Sequence, residues 1–335
     1  MPVDAVGSYA APSIEVSADA LGEQQLQPHR QALVSVVIPT YRRVGLVGRA
    51  VRSALAQTYQ RLEVVVVIDG VDDGTRAVVE ALGDPRARVI ERGVTEGAAA
   101  ARNTGVQAAA GLYIATLDDD DEWTPDKIER QMQVVEQCGL AGSEFIISCR
   151  TECRDKNSVS VLPQRLYCPE LDLGEYLFYR RSPLSRSGLI PSGTYLFPRE
   201  LVRRVAFPHD DAHEELGWLL LCTARDKVML IMMPEPMFIY HMRPSTRNST
   251  QSWRASVDFA RKYRNLMSRA AFNGLLSSTT AWRAKRQDGL AAVLEIAWVM
   301  ATEGRCRNLA QWLSVISIAL VPLNSLDIYR ARRPA

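Results

Sequence analysis

Short apolar runs recur along residues 33–117, and segments with helical spacing separate them. The runs are LVSVVIP (33–39), LEVVVVID (62–69), ARVIER (87–92) and LYIATL (112–117). The first two are almost continuously apolar and rich in β-branched residues. Hydrophobicity of this kind is typical of parallel strands that are buried on both faces.

The segments between these runs carry helical patterns. Val44, Val47 and Val51 form an apolar stripe after the first run, TRAVVEAL (75–82) follows the second, and the alanine-rich EGAAAARNTGVQAAA (96–110) follows the third. This alternation of strand and helix predicts an α/β fold with a doubly wound, mostly parallel sheet.

Polar clusters follow three of the predicted strands. They are PTYRR after the first strand, DGVDDGT after the second and DDDDEW after the fourth. In doubly wound sheets, ligands bind beyond the carboxyl ends of the strands. We therefore expect one binding site at this edge of the sheet, built from these clusters.

The consecutive aspartates Asp118 to Asp121 are the most unusual cluster. Carboxylates that share a crevice raise one another's pKa values unless a cation neutralises them, and a hard divalent ion suits their oxygens. A helix starting at Pro125 with Thr124 as its N-cap would account only for Asp126. An EF-hand loop is excluded, because this segment lacks the glycine and the distal glutamate that such a loop requires. The two acids of a glycosidase usually come from separate segments, because neighbouring residues on a strand point to opposite faces.

The motifs VSVVIPTYRR, VVVVIDGVDDGT and GAAAARNTGVQAAAGLYIATLDDDDEWTPDKIERQ together resemble those of the family 2 glycosyltransferases, which have the GT-A fold. The resemblance is close over residues 34–136 and weaker to about residue 245. It implies a nucleotide-diphosphate sugar as donor, with a UDP-sugar favoured, Mn²⁺ or Mg²⁺ as cofactor, and a hydroxyl of a glycan or another molecule as acceptor. Neither G-x-x-x-x-G-K-[ST] nor G-x-G-x-x-G follows the first strand, so the metal would hold the diphosphate.

The resemblance also implies roles for individual residues. Asp118 and Asp120 align with the two acids of the metal-binding D-x-D motif, and Asp121 matches an acid that often follows it. Asp69 matches the acid that accepts a hydrogen bond from uracil, although the usual DDGS reads IDGV here. The other implied donor contacts are Pro39, Thr40, Tyr41, Arg42, Gly97, Arg102 and Asp119.

The catalytic base of this family is an acid at the start of a later helix, and HDDAHEELGWLLL (209–221) matches that segment. Glu215 occupies the usual position of the aspartate and follows Glu214, so both are candidates. Asp210 and Asp211 are the alternatives. If they have no catalytic role, these acids would stabilise the helix by interacting with the positive end of its dipole.

Several residues carry weaker expectations. Arg102 is alternatively a solvated helix residue, and Tyr41 an ordinary packed aromatic. His209 and His213 are four residues apart and would share one helix face, in a structural or acceptor-side role. Residues expected near the acceptor or the diphosphate are Ser192, Thr194, His241 and Arg243.

Three regions are predicted along the chain. They are an N-terminal arm at 1–31, a GT-A domain at 32–245 with a nucleotide-binding half (32–136) and an acceptor half (137–245), and a helical extension at 246–335. Within the extension, LAQWLSVISIALVPL (309–323) is too short to span a bilayer. It predicts a helix that either packs in the core or lies on a membrane surface.

Composition narrows the function classes. The 335-residue chain has a formal net charge of +2, which gives no support for nucleic-acid binding. Its six cysteines lack metal-binding spacing and fit reduced thiols. The N-terminal residues lack a signal-peptide pattern. We expect a cytoplasmic protein, with contact to the inner face of the membrane through residues 309–323 as an option.

The sequence thus predicts an inverting, divalent-metal-dependent glycosyltransferase that acts in the synthesis of a surface polysaccharide or another glycan. A catalytically silent nucleotide- or sugar-binding protein is one alternative, suggested by IDGV and by Glu215 in the place of an aspartate. A sugar nucleotidyltransferase is another. It would need a glycine-rich basic loop, and the spacing of PTYRRVGLVGR does not match one.

Overall fold

The computed structural model describes residues 32–155, 158–179, 188–209, 212–242 and 252–321. These residues form a nine-stranded sheet flanked by helices. The strands are β1 (Val34–Thr40), β2 (Leu62–Ile68), β3 (Ala87–Glu91), β4 (Tyr113–Thr116), β5 (Glu122–Trp123), β6 (Phe145–Asp155), β7 (Ser158–Leu162), β8 (Leu196–Pro198) and β9 (Met229–His241). The helices are α1 (Val44–Leu55), α2 (Thr75–Glu80), α3 (Ala98–Ala108), α4 (Lys127–Gln137), α5 (Leu173–Phe178), α6 (Arg199–Arg204), α7 (Glu214–Leu220), α8 (Trp253–Lys262), α9 (Arg269–Leu275), α10 (Ala281–Thr302) and α11 (Leu309–Leu320).

The first four strands form a parallel half-sheet in the spatial order β3-β2-β1-β4. The pairing of β1 with β2 runs from Val34 opposite Leu62 to Thr40 opposite Ile68. Every residue of β1 is buried, which requires cover on both faces of the sheet. The predicted doubly wound α/β fold is confirmed.

The second half of the sheet is mixed. Strand β8 pairs antiparallel with both β4 and β6, β9 runs parallel to β6, and β5 runs antiparallel to β9. In β5, Glu122 pairs with Ile239 and Trp123 pairs with Phe238. Residues 117–121 therefore cross from β4 in the middle of the sheet to β5 at its edge, and they carry all four aspartates across the strand ends.

Helix α3 lies very close to the sheet. A Cβ atom at Gly105 would stand 2.4 Å from Cγ1 of Val37, so only glycine fits at this contact. The neighbouring Ala101 is fully buried. Small residues on this face explain why the segment is alanine-rich, and the close packing brings the N-terminus of α3 beside the ends of β1 and β2.

The predicted start of the helix after the aspartates is wrong. Helix α4 begins at Lys127, with Asp126 rather than Thr124 at the N-cap position. The backbone N–H of Thr124 donates to the Met237 carbonyl at 3.1 Å, which continues the pairing of β5 with β9. The Thr124 hydroxyl donates to Asp126 Oδ1 at 3.0 Å.

Helices α8 to α11 confirm a helical C-terminal region within residues 253–320. In α11, Val315 and Ile318 are buried whereas Leu309 and Leu320 are exposed, so only one face of this helix packs in the core. Among the described residues, no helix has both the length and the apolarity needed to cross a membrane.

Candidate functional site

A cavity of about 420 Å³ opens at the carboxyl ends of β1 and β2. The three polar clusters all contribute to its wall, as the sequence predicted. The N-terminus of α3 supplies the remaining side. The lining residues are Pro39, Thr40, Tyr41, Arg43, Asp69, Thr95, Gly97, Ala98, Asp118 and Asp119.

Asp69 is a buried carboxylate with three hydrogen-bond donors. Its Oδ1 accepts from Arg92 Nη1 at 2.6 Å and from the Glu96 backbone N–H at 3.0 Å, and its Oδ2 accepts from the Gly97 N–H at 2.8 Å. Gly97 has a φ of +97°, a left-handed conformation that suits glycine. Asp69 thus fixes the loop before α3, and a contact of this acid with a uracil ring stays a prediction.

The loop after β1 presents one aromatic ring and two arginines with different surroundings. Tyr41 is 40% exposed at the cavity, which excludes the alternative of an ordinary packed aromatic. The Arg42 guanidinium carbon lies 5.2 Å from the centre of the Tyr41 ring. Arg42 has a φ of +51°, and the next residue, Arg43, is the one that reaches the aspartates.

Asp119 points into the protein. It is 4% exposed and accepts hydrogen bonds from Thr40 Oγ1 at 2.8 Å and from Arg43 Nη1 at 2.9 Å. Burial raises the pKa of its carboxyl, and the Arg43 charge opposes that shift. The same Arg43 nitrogen lies 2.8 Å from Oδ2 of Asp120, so a single guanidinium bridges two neighbouring acids.

Asp121 is also buried and accepts the backbone N–H of His241 at 3.0 Å. Burial, reinforced by the charges of Asp118 and Asp120, raises the pKa of Asp121 to about 9. The side chains of Asp118 and Asp120 are 31% and 25% exposed. The four aspartates therefore alternate, with the first and third more open and the second and fourth buried.

Arg102 lies behind the aspartates and is 3% exposed, which excludes the alternative of a solvated helix residue. Its Nη2 donates to Asp118 Oδ1 at 2.7 Å and to Ser192 Oγ at 3.1 Å. Burial acts to lower the pKa of Arg102, but Asp118, Glu215 and Glu214 outweigh it and the pKa is raised. A contact between Arg102 and the nucleotide sugar stays a prediction, because Arg102 is not among the residues that line the cavity.

Ser192 connects the D-x-D segment to the start of α7. Its backbone N–H donates to Glu215 Oε2 at 3.1 Å, and its hydroxyl lies 3.4 Å from Asp118 Oδ2. Glu214 Oε1 lies 3.7 Å from Arg102 Nη1. Both candidate bases thus stand close to Asp118, although about a hundred residues of sequence separate them from it.

Some acceptor-side expectations are wrong. Ser192 and Thr194 are fully buried, so neither hydroxyl is available to a sugar. His213 precedes α7, which begins at Glu214, so His209 and His213 do not share a helix face. The His213 ring instead bonds Ser256 Oγ at 3.0 Å. Three further candidates lie outside the described residues: Asp210, Asp211 and Arg243.

The structure adds residues that sequence reasoning missed. Arg43 contacts two aspartates, Arg92 pairs with Asp69, and Thr95 lines the cavity. The doubled arginine in PTYRR was a visible signal for Arg43. Arg92 and Thr95 stand in the plain loop between β3 and α3, and only the pairing of β2 with β3 brings that loop to the site. His241 lies beside Glu122 and Asp121, and its expected contact with the diphosphate stays a prediction.

The carboxylate oxygens of Asp118 and Asp120 fit a divalent cation that a bound substrate would help to hold. In the part of the chain that the structure describes, no three His, Cys, Asp or Glu side chains group closely enough to hold a metal by themselves. Asp118 and Asp120 nevertheless offer hard oxygens that are partly open, and their charges add to burial in raising the pKa of Asp121. Mg²⁺ is commonly held by one or two carboxylates together with substrate phosphates.

A buried lysine supports the site from behind. Lys127 Nζ donates to Gln131 Oε1 at 2.8 Å and lies 4.2 Å from the centre of the Trp123 ring. Gln131 in turn donates to the Thr194 carbonyl at 2.9 Å, next to the turn that holds Ser192. Burial lowers the pKa of Lys127 to about 8.

This lowered pKa predicts a pH-dependent stability. The unfolded lysine titrates near 10.5, so between pH 8 and that value the unfolded state binds more protons and stability rises with pH. Relative to Lys127→Met, the wild-type free energy of unfolding should gain up to about 3 kcal/mol over that window. Urea unfolding of both proteins at pH 7.5 to 10 measures the difference. Parallel pH profiles would contradict a neutral buried lysine.

Comparison with known proteins identifies the family. The profile described as "Glycosyl transferase family 2" matches residues 35–193. WfaP of Escherichia coli, a UDP-Glc:alpha-D-GlcNAc-diphosphoundecaprenol beta-1,3-glucosyltransferase, is 30% identical over 189 residues, which is 56% of this chain and 69% of that protein. WcaA of E. coli K12, a putative colanic acid biosynthesis glycosyl transferase, is 34% identical over 156 residues; the match spans 45% of this chain and about half of WcaA (53%).

Solved structures agree in fold. S. aureus TarS 1-349 in complex with UDP-GlcNAc superposes with a TM-score of 0.56 at 14% identity, covering 89% of this chain and 91% of TarS 1-349. The mannosyltransferase PcManGT from Pyrobaculum calidifontis, in complex with GDP-Man and Mn²⁺, gives a TM-score of 0.52 at 19% identity and covers 86% of each chain. Together with the matched profile and the identity to WfaP, these findings show that the chain belongs to glycosyltransferase family 2 and has the GT-A fold.

Proposed function

We propose that this protein transfers a sugar from a nucleotide-diphosphate sugar to an acceptor hydroxyl, with inversion at the anomeric carbon. The observation that carries the proposal is the link from Glu215 through Ser192 to Asp118, which lines the 420 Å³ cavity. That link sets a carboxylate able to take a proton beside a motif suited to a diphosphate. Both halves of the reaction then take place at one strand edge.

A UDP-sugar is the favoured donor. WfaP is named for UDP-Glc, and TarS was crystallised with UDP-GlcNAc, whereas PcManGT was crystallised with GDP-Man. In this chain the uracil ring of the donor would lie against the exposed ring of Tyr41, near Asp69. Arg92 already occupies one oxygen of Asp69, so the pyrimidine contact would use the remaining acceptor capacity of Oδ2.

Asp118 and Asp120 would hold Mn²⁺ or Mg²⁺, and Asp119 would lie against the nucleotide. When bound, the ion neutralises the charge that develops on the departing diphosphate. The protein keeps the two acids in place with Arg102 on Asp118 and Arg43 on Asp120. These guanidiniums limit the repulsion among the carboxylates before the donor arrives.

Glu215 would act as the general base. The acceptor hydroxyl gives its proton to the Glu215 carboxylate, its oxygen forms a bond to the anomeric carbon, and the bond from that carbon to the diphosphate oxygen breaks on the opposite face. The Ser192 N–H orients Glu215 for this step, and Arg102 stabilises the neighbouring Glu214. Glu214 is the second candidate for the base.

The acceptor is proposed to be a growing glycan, in the synthesis of a surface polysaccharide on the cytoplasmic side of the membrane. Support comes from WfaP, whose name places its acceptor sugar on diphosphoundecaprenol, and from WcaA, named for colanic acid biosynthesis. A lipid-linked acceptor would require the protein to work close to a bilayer.

A thermal-shift screen with UDP-sugars and GDP-mannose, each with Mn²⁺, Mg²⁺ or EDTA, tests the donor and the metal together. A UDP-sugar with Mn²⁺ at a hundred times its dissociation constant should stabilise the protein by about 2.7 kcal/mol, seen as a rise in Tm of several degrees. EDTA should remove that rise. No shift with any nucleotide sugar would overturn the proposal.

A catalytically silent binding protein is the second candidate, favoured by Ile68 before Asp69 and by the glutamate at position 215. It predicts the same thermal shifts without release of UDP. Hydrolysis or transfer of the donor sugar, followed by chromatography of UDP, separates the two functions.

A further inference from the structure

Helices α10 and α11 form an antiparallel hairpin joined by residues 303–308. Lys285, near the start of α10, donates its Nζ hydrogen bond to the Ala319 carbonyl near the end of α11 at 3.0 Å. Exposed apolar side chains lie on the part of α10 that follows its non-helical residue Gly289, and along α11. We call these residues the hairpin face: Leu290, Leu294 and Trp298 on α10, and Leu309, Leu313, Ile316 and Leu320 on α11.

The hairpin face is ordered by helical spacing rather than scattered. Its members recur every three or four positions, so each helix carries one continuous stripe. Each side chain is between 46% and 77% exposed. Single exposed apolar residues are ordinary on a protein surface, whereas contiguous apolar patches mark interaction sites.

Helix α11 has a composition unlike that of a solvated helix. Its sequence LAQWLSVISIAL contains no charged residue, and its other face is already buried through Val315 and Ile318. A surface helix normally turns charged residues toward water on the face opposite the core. This helix is apolar on both faces, so its exposed face is suited to contact with a partner or a lipid surface.

The charges around the hairpin face favour a lipid surface over a second copy of the chain. The turn between the helices exposes Arg305 and Arg307, and no ion pair to either is found in the described part of the chain. In a contact between two copies, Arg305 and Arg307 of one copy would meet an α11 that has no acidic residue to pair with them. The acids nearby already have partners: Asp288 and Glu295 of α10 pair with Arg254, and Glu303 at the start of the turn pairs with Arg261.

We propose that the hairpin face lies on an anionic lipid bilayer, with the apolar stripes at the acyl boundary and Arg305 and Arg307 among the lipid phosphates. Helices of this type bind through buried apolar area together with attraction to anionic headgroups. Tryptophan is favoured at that boundary, and Trp298 is 69% exposed on the stripe. This surface does not depend on the proposed sugar transfer.

Co-sedimentation of the full 335-residue chain with vesicles of phosphatidylethanolamine and phosphatidylglycerol tests the proposal. We expect binding that a Leu313→Gln, Leu320→Gln double variant weakens about tenfold or more, because two leucines lose their apolar burial. Arg305→Gln, Arg307→Gln should weaken binding roughly tenfold and remove its salt dependence. Val159→Gln, an exposed apolar position on β7, is the matched control and should bind as wild type.

Tryptophan fluorescence supplies a second readout, since vesicles should shift the emission to the blue and Trp298→Phe should abolish the shift. Absence of binding to these vesicles, or equal binding by the Leu313→Gln, Leu320→Gln variant with an unchanged Tm, would overturn the proposal. A dimer that this double variant dissolves would also overturn it, in favour of a contact between copies. No nucleotide sugar is present, so failure here is distinct from failure of the proposed transfer.

Discussion

A Glu215→Gln variant is expected to lose about a hundredfold to ten-thousandfold in kcat, the range attributed to a positioned general base. The glutamine retains the size of the side chain and can still accept the Ser192 N–H hydrogen bond, which is 3.1 Å long in the wild type. It cannot take the acceptor proton. The donor should therefore bind as before, and a coupled assay for UDP release should show the loss in kcat with little change in KM.

Two comparisons decide whether the effect belongs to Glu215. Glu214→Gln removes the partner that stands 3.7 Å from Arg102 Nη1, and a larger loss there would move the base to Glu214. Glu200→Gln changes an exposed glutamate on α6 and should leave the rate unchanged. Wild-type kcat in Glu215→Gln would reject Glu215 as the base, and Glu215→Asp should restore part of the rate.

An Asp120→Ala variant is expected to lose about a hundredfold or more of its transfer rate, because a metal ion supplies several kcal/mol of charge stabilisation to the leaving group. Arg43 would keep its contact with Asp119, which lies 2.9 Å away, so the loop after β1 should stay in place. The readout that separates metal binding from folding is the thermal shift. A UDP-sugar with Mn²⁺ should stabilise the wild type and fail to stabilise this variant.

The control for this variant is Asp126→Ala, an exposed acid at the start of α4 that pairs with Arg130. It removes the same charge within six residues of the motif and should leave both the rate and the Mn²⁺-dependent shift intact. Full activity of Asp120→Ala would remove Asp120 from the proposed D-x-D pair. A loss of Tm without donor in that variant would instead mark Asp120 as a structural residue.

The sequence predicted the first four strands and the helices between them well because its signals are local. Continuous apolar runs require strands that are covered on both faces, and β1 and β2 begin and end within one residue of the predictions. The glycine at position 97 and the alanine run after it predicted α3 correctly. The helix after the aspartates was placed too early, because pairing of Thr124 with Met237 of β9 extends β5.

Roles on the acceptor side were harder to predict because burial there depends on long-range contacts. Ser192 and Thr194 have the residue types of sugar contacts, yet both are buried, and Ser192 orients Glu215 instead. Arg43 and Arg42 are indistinguishable by type. The positive φ of Arg42 leaves it against Tyr41, and Arg43 reaches the acids.

By itself, the sequence determined the α/β order of the elements and the family to which the chain belongs, and it named the acids proposed for metal and base. Periodicity and motif spacing depend on neighbouring residues, so they can be read along the chain. Only the tertiary structure decided that Asp119 and Asp121 turn inward while Asp118 and Asp120 stay partly open. It also decided that Ser192 joins Asp118 to Glu215, since that contact spans 74 residues on one side and 23 on the other.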